Sequence, residues 1–216
     1  MDGARLHDLV HKGYGIAARN VGLTYDVFRP LDIMAPLAGP AITSGFKASF
    51  QPYKSSFSWR WQSSHHEALR DGLLDARELQ HGDYFVGSDG TYALISIGHA
   101  NPPVCIACNR TVGVYKPSTS APLGLGPYSG QTAANEVAVM AGWPMSMRKE
   151  RSAAPMGRLP GSDGASGTEV LLPCRWPAVV IEPGFILRDD LDQRHVVSAV
   201  ELTDLGWRIG ATQAVT

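Results

Sequence analysis

Glycine (23) and proline (15) fall between short runs of β-branched and aromatic residues along most of this 216-residue chain, without forming a repeat or a low-complexity tract. Proline removes a backbone donor, and both residues weaken the interior of a helix or a central strand. A chain punctuated this way builds short strands joined by turns and extended loops. The expected class is mainly β: one or two small barrels or sandwiches, with an N-terminal amphipathic helix and long Pro/Gly-rich loops. The length suits one sizeable core or two small ones.

The helix is read over residues 5–21, where Leu6, Leu9, Val10, Ile16 and Ala17 recur at helical spacing and Gly22 is placed to end the run. Thr24 to Phe28 (TYDVF) is β-prone and is stopped by Pro30. Prolines at 30, 36, 40 and 52 make residues 29–54 an extended arm draped over something else. The strongest local signal is GDYFVGSDGTYALISIG from Gly82, two β runs around Ser88, Asp89 and Gly90, which reads as a hairpin. VCIACNRTVGVYK (104–116) continues the β material, and residues 117–130 interrupt it. NEVAVMAGW (135–143) is a further candidate strand. Residues 185–187, 195–202 and 207–213 are strand candidates near the C-terminus. The implied division is a helix and arm over 1–54, a first β unit over 55–147, an exposed linker over 148–167 and a second β unit over 168–216. PGFILRDDLDQRHVVSAV parallels HGDYFVGSDGTYALISIG, a hint of two related units.

Nineteen Lys and Arg nearly cancel twenty Asp and Glu, which argues against a general nucleic-acid or acidic-membrane binder. No apolar run approaches the ~20 residues of a membrane-spanning helix, and the polar start lacks a signal core. A soluble chain is expected. Three cysteines are too few for a disulfide framework.

Chemistry-bearing patterns are incomplete. Cys105 and Cys108 form a C-x-x-C, with Cys174 the one other thiol, short of the four ligands of a structural zinc site. His7 and His11 in HDLVH sit four apart, yet Asp replaces the Glu of the zinc-hydrolase pattern. The adjacent His65 and His66 and the lone His81, His99 and His195 form no ligand pattern in the sequence. GLGPYSG (124–130) lacks the spacing of a dinucleotide fingerprint, and no G-x-S-x-G positions a nucleophile. Asp189, Asp190 and Asp192 in RDDLD read as turn formers. The expectation is no catalytic, cofactor or metal residue. In FSWRW, alternation would place Phe57, Trp59 and Trp61 on one face, a candidate interface anchor or a piece of core. Leu6, Leu9 and Val10 on the helix are further interface candidates.

The opening helix with GLTYDVFRP, the central GDYFVGSDGTYALISI with CNRTVGVYKP, and the closing LRDDLDQRHVVSAVELTDLGWRIGATQA together resemble a family of tailed-phage and prophage virion morphogenesis proteins. The similarity spans nearly the whole chain. The closing segment also resembles the small β-barrel head-tail joining proteins. The resemblance implies a non-enzymatic tail or baseplate subunit, with a head-tail connector (neck adaptor) subunit as the alternative. It implies assembly in the host cytoplasm, residence in the virion, and partners among tail tube, sheath, baseplate or neck subunits. Self-association in a ring is expected, with no specific nucleic acid and no membrane. The rival readings are a metal-dependent phage hydrolase using His7 and His11 with a distant third ligand, and an assembly chaperone outside the particle.

Overall fold

In the computed structural model of the chain, the described residues are 2–52, 68–117, 136–149, 167–174 and 179–214. The protein is mainly β, with one helix, α1 (Gly3–Val21), followed by twelve strands. They are β1 (Leu23–Phe28), β2 (Thr43–Pro52), β3 (Leu69–Leu73), β4 (Tyr84–Gly87), β5 (Gly90–Ser96) and β6 (Val104–Cys108), then β7 (Arg110–Pro117), β8 (Glu136–Lys149), β9 (Gly167–Leu172), β10 (Ile186–Asp189), β11 (Arg194–Thr203) and β12 (Gly206–Gln213).

The first six strands close a barrel in the order β1-β2-β3-β6-β5-β4, and the last six close another in the order β10-β11-β12-β9-β8-β7. Adding six to each strand number of the first barrel reproduces every neighbour pair of the second, and all pairs are antiparallel. The chain therefore carries one topology twice.

Strand alternation builds each core. Inside the first barrel lie Tyr25, Val27, Ala48, Phe85, Leu94 and Cys105. Inside the second lie Val112, Val114, Trp143, Met145, Leu187, Val197, Ile209 and Ala211. Tyr84 and Ala93 point out of the first barrel and join the second barrel's apolar cluster, while Ile95 and Ile106 meet Leu171. The barrels share this apolar seam, and the Tyr84 hydroxyl donates to the Pro144 carbonyl at 3.2 Å within it.

Three sequence expectations are corrected. The run 104–116 is two strands in different barrels, joined by Asn109 alone. Asn109 holds the junction like a short strand: its backbone N–H donates to Met145 O at 3.0 Å, and its side-chain amide exchanges bonds of 2.8 Å with the backbone of Met147. The boundary between units thus falls at Asn109, and the expected linker over 148–167 instead spans the end of β8, the start of β9 and the residues connecting them in sequence, all within the second unit. The arm over 29–54 contains the ten-residue β2, and in the connection before it Ile33 and Leu37 pack against this chain's own second barrel. There Ile33 O accepts from Trp143 Nε1 at 2.7 Å and from the Ala141 N–H at 3.2 Å.

Candidate interaction surface

The helix starts at Asp2, whose carboxylate caps the Ala4 N–H. It ends at Gly22 because no side chain fits there: a Cβ would lie 2.5 Å from Ala18 O and 2.7 Å from Ala48 O. The face laid on the first barrel is small and polar. His11, Gly15 and Ala18 are buried. His11 Nε2 donates to the Gly98 carbonyl at 2.9 Å, and the Tyr14 hydroxyl donates to Ala100 O at 3.1 Å, so the loop between β5 and β6 grips the helix. The rings of His7 and His11 meet edge-on with centroids 4.2 Å apart, and His99 lies 5.7 Å from His7. Gly15 sits flush against Asp75, where an added Cβ would approach the aspartate's Cβ to 2.7 Å.

This docking turns the apolar stripe outward. Leu6 is 44% exposed, and Leu9 and Ile16 are each 52% exposed, while Val10 and Ala17 are half-buried. At 100° per residue these side chains and Gly13 share one face. Arg5, Lys12 and Arg19, all exposed, line one flank of it. A solvent-facing stripe of large aliphatic side chains on an ordered helix costs hydration free energy unless something covers it. Of the sequence's interface candidates, Leu6 and Leu9 stand on this surface and Val10 at its edge. Phe57, Trp59 and Trp61 lie outside the described residues, as do His65, His66 and GLGPYSG.

A cavity of about 400 Å³ opens at the rim of the first barrel, lined by Arg29, Phe46, Asp75, Arg77, Glu78 and Leu79 among others. Its cations are already matched. Arg29 makes two bonds of 2.8 Å to Asp83, whose side chain is 1% exposed, and Arg77 makes bonds of 2.8 and 2.7 Å to Asp75. The Arg77 guanidinium holds the Asp75 carboxyl below its usual range, and the bond to Asp83 raises Arg29. This rim reads as a brace, not as a seat for a free anion.

The remaining chemical candidates serve structure or stand apart. Cys105 lies in the first barrel's core, and Cys108 packs against the second barrel's cluster, so the C-x-x-C straddles β6. Burial pushes both thiols up. Asp89 accepts from Tyr25 at 2.7 Å and from Tyr92 at 3.0 Å, pinning the β4–β5 turn; burial and this bond push Tyr92 up to about 12. Asp189 accepts from the N–H groups of Leu191 and Gln193, the turn role expected of it. Among the described residues, no group of three or more His, Cys, Asp or Glu is arranged to hold a metal ion. No helix among them is long and apolar enough to cross a membrane. No family model matches the chain, and no curated protein or solved structure is significantly similar to it.

Proposed function

We propose that this protein is a structural subunit of a tailed-phage or prophage particle, a tail or baseplate component that binds neighbouring virion proteins through the outer face of α1. The observation that carries the reading is the solvent-facing stripe of Leu6, Leu9 and Ile16 on a helix already anchored to its barrel by His11, Gly15 and Ala18. A helix held on one side and apolar on the other is prepared for a groove or a second helix, a recurring mode of protein recognition. The two barrels joined along an apolar seam supply a rigid body for it. The resemblance of the opening, central and closing segments to virion morphogenesis proteins supports a partner within the particle, and the proposed role includes no catalytic step.

The test is quantitative mass spectrometry of purified particles. The chain is expected at fixed copy number, and Leu6→Glu with Leu9→Glu is expected to lower incorporation at least about tenfold, as loss of two central apolar anchors implies. Because both side chains face water, the variant should fold. Absence of the chain from finished particles, or unchanged incorporation of the variant, overturns the reading.

A further inference from the structure

The second barrel is closed, but one strand runs past its neighbour. β11 pairs with β10 only over Arg194, His195 and Val196, and the bonds of Gly184 and Phe185 to Val197 extend that side by one residue. Beyond it, residues 198–203 have β12 on one side, and no other strand among the described residues on the other. With a two-residue turn at 204 and 205, the alternation of an antiparallel ladder aims the N–H and C=O groups of Val200 and Leu202 at this open side. The edge is six residues long, the length of an ordinary strand.

The first barrel shows what is missing. Its equivalent hairpin ends at the pair Ser96 and Val104, and the loop beyond is gripped by α1 through Gly98 and Ala100. The second barrel's hairpin continues four pairs further, from Val200 opposite Ile209 to Thr203 opposite Gly206. No helix precedes β7, since Asn109 alone links it to β6. Leu202, on the face that Val200 turns towards the core, is left 59% exposed.

We infer that a second copy of this chain pairs with the open edge, β11 against β11 about a twofold axis, making one continuous sheet across a dimer. A strand fits because the unmet groups are backbone donors and acceptors in a row. A second copy fits because the edge is complementary to itself. Glu201 is its one charged residue, and a register centred on Val200 sets each Glu201 opposite the partner's Ala199, so no like charges face one another. The same register lays the partner's strand beside Leu202. Residues 198–203 also contain neither the lysine nor the proline that commonly blocks edge pairing.

This inference deepens the assembly reading by naming one partner. The experiment is sedimentation equilibrium of the full chain as wild type, Ala199→Lys, Ala199→Glu, and Leu6→Glu with Leu9→Glu. Ala199 is exposed, so both substitutions leave the fold intact. Wild type should dimerise. Ala199→Glu, facing Glu201 twice per dimer, should weaken association about tenfold, and Ala199→Lys should strengthen it by a similar factor. A chain that stays monomeric, or a dimer indifferent to the charge at 199, overturns the edge pairing. A dimer abolished by the helix substitutions but not by Ala199→Glu also overturns it while sparing the assembly reading. Particles that lack the chain despite an Ala199-sensitive dimer sink the assembly reading alone.

Discussion

Gly82 and Gly184 hold the same φ of +91° and make the same bond, their N–H groups donating at 2.8 Å to the carbonyls of Leu94 and Val197. The likeness continues residue by residue. Asp83 and Phe185, next in the chain, donate to Gln80 and Glu182 three residues back at 3.1 and 3.2 Å, and they accept from Leu94 and Val197 at 2.9 Å. One position further along each hairpin the register breaks, between Leu94 and Ser96 and between Val197 and Ala199. The two hairpins share backbone geometry while their side chains differ, as expected of a duplicated unit whose backbone constraints outlast its side chains.

Substituting either glycine should therefore cost the same. A Cβ at Gly184 meets no atom within 4 Å, and at Gly82 it meets only Pro173 O at 4.0 Å. The penalty is conformational, about 1–2 kcal/mol for a β-carbon held at positive φ. Urea unfolding of Gly82→Ala and Gly184→Ala should show losses of this size that agree within error. Asn at either site should cost less than Ala, since it tolerates positive φ better. A neutral Gly184→Ala would refute the conformational requirement.

Much of this fold is legible in sequence, and the misses have physical causes. The β4–β5 hairpin announces itself because YALIS follows a turn whose Gly90 needs φ of +142°. The parallel between the two hairpins is visible in their strings and corresponds to equivalent strands. β2 hides because the prolines at 30, 36, 40 and 52 suggest an extended arm, although Phe46, Ala48 and Phe50 alternate as a strand should. The break between barrels hides because Asn109 is neither Gly nor Pro, and its side chain bonds the next strand as backbone would. The apolar stripe predicts the helix, yet that stripe faces water. Its buried face was illegible because His11 and Gly15 are chosen by the close approach of Gly98 and Asp75, which no local pattern records.

The helix offers two glycine substitutions of opposite sign. At Gly13 an added Cβ meets nothing within 4 Å, so Gly13→Ala should stabilise by about 1 kcal/mol through helix propensity alone. At Gly15 the same gain is opposed by a 2.7 Å contact with Asp75, a residue fixed by its two bonds to Arg77. Overpacking of this kind costs about 1–3 kcal/mol, so it outweighs propensity and should loosen the helix. Hydrogen exchange should show faster exchange across α1 in Gly15→Ala and slower exchange in Gly13→Ala. Equal protection in both would mean that the packed face does not hold the helix.

A buried carboxylate ties the start of β8 into the second barrel. Glu136, with a side chain 1% exposed, accepts from Arg188 at 2.8 Å and from Arg194. Arg188 also lies over the Tyr115 ring at 4.9 Å. Glu136→Ala takes the carboxylate from two largely buried guanidiniums and should cost about 3 kcal/mol, the usual result of removing one member of a buried ionic cluster. Glu136→Gln keeps the shape and one acceptor and should cost less. Thermal unfolding should rank wild type above Gln and Gln above Ala; an Ala variant as stable as wild type would show the cluster to be ornamental.

His195 should make the second barrel sensitive to mild acid. It is 4% exposed, and neither ring nitrogen finds a hydrogen-bond partner among the described residues. Burial holds its pKa below the ordinary value, against a smaller opposing pull from Asp189. An unfolded chain takes up this proton near pH 6.5, whereas the folded one waits for lower pH. Between those points the unfolded state binds more protons, so the contribution is complete above about pH 6.5 and is lost as pH falls through the folded-state pKa. One proton limits the slope to about 1.4 kcal/mol per pH unit. Urea midpoints at pH 7.5 and pH 5 should converge less for wild type than for His195→Leu, which removes the titrating group and keeps the bulk. The difference between the two proteins isolates this histidine from the other six. If both lose stability in parallel as the pH falls, the acid response lies elsewhere.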